Sequence, residues 1–122
     1  MNIWLAVFLG GGFGSMARMS VSYFVTNHFK HINPGSTLVA NLLATLILGI
    51  TLYYFHEKEA LSSTTKAFLV TGFCGGFSTF STFSYETIEL IKHHSYLYGF
   101  ANVAISLLLA LLTLFFIERW VA

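Results

Sequence analysis

The chain has 122 residues, 56% of them hydrophobic and 9% charged, with a formal net charge of +1 at pH 7 and a mean hydropathy of +0.73. That composition excludes an ordinary soluble domain, and the lack of any basic run gives a nucleic acid nothing to bind. A single cysteine, Cys74, rules out an intramolecular disulfide and reads as a small buried residue.

Four apolar segments can each cross a hydrocarbon core, which takes about 20 helical residues. They are Ile3–Thr26, Ser36–Phe55, Lys66–Ile91 and Leu97–Val121. The expectation is an all-α membrane protein, one four-span transmembrane domain over residues 1–122. In the first segment Gly10, Gly11, Gly12, Gly14 and Ser15 precede Arg18. The Gly10-xxx-Gly14 spacing lets two helix backbones approach closely, so these glycines predict a packing face. No basic region precedes this apolar run, which reads against a cleaved signal peptide. Arg18 has two readings. It either snorkels to the interface or stands as a fixed positive charge that gathers anions at a pore mouth.

Asn27–Gly35, holding the only proline, Pro34, leads into the second segment. There Asn41 carries Thr37 and Thr45 four residues to either side, on one helix face. A buried asparagine needs partners for two donors and an acceptor. Asn41 is therefore either a clasp between helices or a donor that replaces water around a passing ion. His56–Thr65 follows, where Ser62, Ser63 or Thr64 can cap the third segment.

The third segment contains Gly72-Phe-Cys-Gly75-Gly76-Phe-Ser78-Thr-Phe80-Ser-Thr-Phe83-Ser84. Paired glycines and a run of hydroxyls make poor material for a continuous lipid-facing helix. Irregular backbone survives at membrane depth only where protein buries it or a cavity hydrates it. The prediction is a helix broken at mid-membrane, with Gly75, Gly76 and Ser78 freeing backbone carbonyls of the kind that coordinate alkali cations. Phe80 and Phe83 share one helix face, and Ser81 and Ser84 another. Glu86 is either a buried acid or an interfacial one. In the fourth segment Asn102 and Ser106 form a second polar pair at i, i+4. Trp4 and Trp120 suit headgroup anchors near the chain ends. The histidines, including the adjacent His93 and His94, fall in or beside connections and read as solvated.

With four spans, Lys58, Lys66 and Arg119 lie on one side of the membrane, and Lys30 and Lys92 on the other. Three against two is almost no positive-inside bias. Both insertions are allowed, and with them an antiparallel homodimer about a two-fold axis in the membrane plane.

Gly72-xx-Gly75-Gly76-x-Ser78-Thr79-Phe80-Ser81-Thr82-Phe83 resembles the signature of the Fluc (CrcB) fluoride channel family, usually G-x-x-G-G-x-T-T-F-S-T-F. Gly10-Gly11-xx-Gly14-Ser15-xx-Arg18 is similar to that family's G-G-x-x-G-A-x-x-R, and Thr37-Leu38-xx-Asn41 to its T-L-x-x-N. The resemblance covers essentially the whole chain. It implies a passive fluoride-selective channel in the bacterial inner membrane, built as a dual-topology antiparallel homodimer with two pores. It further implies that Phe80, Phe83 and Asn41 match pore residues. Ser81, Thr82 and Ser84 then fall on or beside a polar track, and Arg18 matches the first-span arginine. A structural sodium ion is implied at the dimer centre, held by backbone carbonyls at the positions of Gly75 and Ser78. Ser78 for Thr, Ser15 for Ala, and Ser36 and Ala44 for Gly depart from the usual pattern.

A different class of function is a small dual-topology drug/proton antiporter. It needs a membrane-embedded glutamate on the first helix, where this chain has Arg18 and no acid. A non-transporting scaffold would leave the polar third segment unexplained. An enzyme is not expected, since no nucleophile–base pair or metal-ligand cluster is visible in any span.

Overall fold

Gly10 and Gly14 in the first helix and Gly72 and Gly76 in the third segment let two stretches of backbone meet directly. The structure, a computed structural model, describes residues 1–28, 35–55 and 59–121. Lys30, His31, Pro34, His56 and Lys58, which entered the readings of the connections and charge balance, lie outside the described residues. Helix α1 runs Ile3–His28. It packs on a segment of wide helical turns, Ala67–Cys74, and on the short α4, Gly75–Phe77. A Cβ on Gly72 would stand 2.9 Å from the Val7 carbonyl oxygen and 3.0 Å from the Gly10 Cα, and one on Gly76 would stand 2.5 Å from the Gly11 carbonyl oxygen. Side chains at Gly10 and Gly14 would run into the carbonyl oxygens of Phe68 and Phe73. Two small-xxx-small rows thus interlock backbone to backbone. The packing face foreseen on the first helix is present, and Gly72-xxx-Gly76 is its counterpart.

Helix α2, Gly35–Gly49, continues into a wider-turned stretch, Ile50–Phe55. Thr45 and Thr51 donate to the carbonyls four residues back, Asn41 at 2.7 Å and Ile47 at 2.8 Å. Such bonds satisfy a hydroxyl inside an apolar helix. Ser62, one of the three caps foreseen, accepts from the Thr65 amide at 3.2 Å and opens α3, Ser63–Lys66. Beyond Ala67–Cys74 and α4 the chain leaves helical geometry at Ser78 (φ −77°, ψ 159°) and Thr79 (φ −150°, ψ 121°). Gly75 itself is helical, so the extended residues follow the glycine pair rather than coincide with it. Helix α5, Phe80–His93, then begins with Thr79 as its cap. Helix α6, Tyr96–Val121, returns along α5 and α2.

The described residues are helical apart from residues 1–2, the connections at 59–62 and 94–95, and the extended Ser78 and Thr79. Gly35–Phe55 and Tyr96–Val121 are each long and apolar enough to cross a membrane. The interior is thin. Ala40, Ala44 and Phe77 form its centre, with Ala17, Val21, Ile47 and Phe73 packed around them. Ala44, where the resembled pattern more often has glycine, is accommodated in that centre. Trp4, Phe8, Phe100, Phe116 and Trp120 are largely exposed. An apolar surface of that extent calls for lipid or another protein chain rather than water.

Candidate functional site

The two extended residues create a polar problem that the neighbouring helix solves. Thr79 cannot use its N–H and C=O in the regular helical ladder, and unmet backbone groups are costly away from water. Asn41, on α2, meets both. Its Oδ1 accepts from the Thr79 N–H at 2.8 Å, and its Nδ2 donates to the Thr79 carbonyl at 3.2 Å. The Thr79 hydroxyl accepts from the Thr82 N–H at 3.2 Å, capping α5. Ser78 donates its hydroxyl to the Cys74 carbonyl at 2.8 Å. Cys74 is buried and outside any disulfide.

Two cavities meet at Thr79. One, of about 240 Å³, is lined by Asn41, Thr45, Ser78, Thr79, Phe80, Phe83 and Ser106 with apolar neighbours. Phe80 is 80% exposed, and its ring centroid lies 6.0 Å from that of Phe83, the planes inclined at 40°. The other cavity, of about 380 Å³, is more polar and is lined by Ser15, Arg18, Ser22, Ser36, Thr37, Thr79, Thr82 and Glu86. Glu86 accepts from the Thr37 hydroxyl at 2.8 Å through Oε1, while its Oε2 is buried with no hydrogen-bond partner. Among the described residues no ion pair within 4.0 Å joins Arg18 to Glu86. The cavity therefore holds a guanidinium and a carboxyl group that are not paired with each other, the carboxyl turning one oxygen to the Thr37 hydroxyl.

The structure divides the residues singled out in the sequence. Asn41, Phe80 and Phe83 come together, with Ser78 beside them. Thr82 and Arg18 share the other cavity. Ser81 and Ser84 line neither, although the Ser81 hydroxyl lies 3.4 Å from that of Thr79. Of the two readings left open for Asn41, the clasp is present, and the residue lines a cavity as well. Asn102 and Ser106 part company: Asn102 donates to the Thr87 hydroxyl at 2.9 Å, while Ser106 faces Phe80 and Phe83. Gly75 is the first residue of the short helix that ends before the break and Ser78 the first extended residue after it, and a Cβ on Gly75 would meet only the Val70 carbonyl oxygen, at 3.9 Å. Spacing in the sequence singles out no role for Thr79 and leaves Glu86 with two. For Thr79 the available signal was its place between Ser78 and Phe80. For Glu86 it was the helical spacing from Thr82, a hydroxyl four residues before it on the same face.

A protein-family model described as "CrcB-like protein, Camphor Resistance (CrcB)" matches residues 5–117. The chain belongs to the CrcB family. Its relatives there include proteins named fluoride-specific ion channel FluC 1 from Yersinia pestis, 39% identical over 98% of this chain and 96% of the relative, and fluoride-specific ion channel FluC from Serratia proteamaculans, 38% identical over 96% and 94%. The FluC of Gloeothece citriformis is 39% identical over 84% of this chain and 83% of its own. The CrcB match spans all the elements that build the two cavities, from Ser15 and Arg18 on α1 to Ser106 on α6.

Proposed function

We propose that this CrcB-family chain is a passive, fluoride-selective channel of a bacterial membrane, which lets fluoride leave the cell down its gradient. The family and the names of its relatives support fluoride as the ion. The observation that carries a path through this chain is the cavity at which Asn41, Phe80 and Phe83 converge on the extended Ser78–Thr79. A small anion gives up hydration only where donors replace it. Asn41 and Ser106 offer true hydrogen bonds there, and the positive edges of phenyl rings offer weaker contacts. Arg18, in the neighbouring cavity, raises the local concentration of anions before they enter. Thr82, Ser81 and Ser84 would extend the polar route along α5.

The full channel in this reading has four spans per subunit, the third interrupted at mid-membrane, and two subunits in antiparallel arrangement about a two-fold axis. The exposed aromatic surface and the balanced charges favour that assembly. Sodium fits the donor chemistry at its centre, since neutral carbonyl oxygens suit a hard monovalent cation. The room around Gly75 and the extended backbone of Ser78 support the carbonyls of these two residues as its ligands. A bound sodium ion would neutralise converging carbonyl dipoles and pin two subunits together. The drug/proton antiporter finds no support in this family, and α1 lacks the acid it requires.

The deciding experiment is ion efflux from liposomes holding the purified protein. Fluoride should leave rapidly and chloride should be retained; equal loss of both, or of neither, would remove the fluoride reading.

A further inference from the structure

An extended residue directs its N–H and C=O to the same side, as along a β-ladder, and a side-chain amide presents one donor and one acceptor at a matching spacing. Asn41 uses this on Thr79, taking the N–H at 2.8 Å on Oδ1 and giving an N–H to the carbonyl at 3.2 Å. The backbone dictates which end of the amide is which. Reversal would set NH₂ against N–H and oxygen against oxygen, two repulsive contacts in place of two bonds. One lone pair of the oxygen is thereby engaged by the Thr79 N–H, which holds that end of the amide toward the backbone. One of the two Nδ2 hydrogens is committed to the carbonyl, and one remains, on a side chain that lines the cavity with Phe80 and Phe83.

We infer that Thr79 is a positioning residue whose main chain locks the Asn41 amide, so that the cavity is offered a hydrogen-bond donor while the carbonyl oxygen that would attract a cation is held toward the Thr79 backbone. The inference rests on the fluoride-channel reading and adds to it a source of charge selectivity. A free asparagine turns either end to an ion and is indifferent to its sign. A locked one favours anions without carrying a charge of its own, and a contact of moderate strength lets the ion leave again. The lock is tied to the phenylalanines through the chain, because Thr79 caps α5 and Phe80 is that helix's first residue.

The test is proton NMR on the intact protein in lipid nanodiscs, labelled with ¹⁵N-asparagine and ¹⁵N-threonine. The Asn41 side-chain pair is assigned by its loss in Asn41→Asp. Sodium fluoride, but not sodium chloride, should shift one Nδ2 proton and leave the other in place. Exchange of the Thr79 amide with deuterated water should be slowed about tenfold or more relative to the exposed threonine amide of Thr65 once its bond to Ser62 is removed by Ser62→Ala. Movement of both protons together, movement of neither, or Thr79 exchange as fast as that reference would overturn the lock. Failure of the channel reading shows itself separately, as absence of fluoride efflux from liposomes carrying the same preparation.

Discussion

At the scale of single residues, Phe80 and Phe83 carry the sharpest consequence. Their rings face the cavity that Asn41 and Ser106 line, and neither ring is needed to fill the small centre around Ala40, Ala44 and Phe77. Replacing either with isoleucine removes a ring edge while keeping apolar bulk. Fluoride efflux from liposomes should fall by about tenfold or more in Phe80→Ile and Phe83→Ile, equivalent to raising the barrier by about 1.4 kcal/mol. Size-exclusion profiles should stay those of the parent protein. Unchanged efflux in both variants would take the rings out of the path. The residue types were legible in the sequence because the i, i+3 spacing places the two rings together on any helix. The use of Asn41 was not, because its partner lies 38 residues away and the alternative roles need the same atoms.

At the scale of elements, the contact between α1 and residues 67–77 depends on glycine because backbone meets backbone there. Adding a methyl at Gly76 must push the Gly11 carbonyl away, whereas a Cβ on Gly12 has nothing within 4 Å. Gly76→Ala should therefore lower stability by about 1–3 kcal/mol through overpacking. Gly12→Ala should be neutral or should gain up to about 1 kcal/mol from better helix propensity. Thermal unfolding in detergent separates the two, and a Gly12→Ala loss as large as that of Gly76→Ala would contradict this packing. The small-xxx-small row of α1 announced a close contact but not its partner. Sequence spacing defines a helix face, and only the fold decides which other face it meets. The same limit explains the third segment: glycines and hydroxyls marked it as irregular, yet Gly75 stays helical and Ser78 and Thr79 are the extended residues. Once Asn41 can satisfy the Thr79 backbone, extension there costs little.

At the scale of the whole molecule, the thin interior and outward-facing aromatics mark a surface that calls for lipid or another protein chain around it. A dimer of opposed subunits requires that both orientations be inserted, and the near-equal lysine and arginine counts permit it. Appending three lysines to the C-terminus should drive one orientation, because they join the side that already carries Lys58, Lys66 and Arg119 and make the balance six against two. Fluoride resistance of cells relying on that variant should then fall, and co-expression with a copy biased the opposite way should restore it. Full resistance from the biased variant alone would exclude the antiparallel pair.

Composition by itself determined that the chain is helical and made for a membrane, since so apolar a chain can hide its backbone polar groups only in helices when no strand pattern is present. The spaced motifs by themselves determined the family, because odd chemistry at fixed intervals is specific even without coordinates. Only the tertiary structure decided how the polar side chains are shared: Asn41 to Thr79, Thr37 to Glu86, Asn102 to Thr87, Thr82 and Arg18 to one cavity, and the phenylalanines to the other. The physical reason is the range of the interaction. Burial preference and helical spacing are local properties of a sequence, whereas a hydrogen bond between helices exists only after both have been placed.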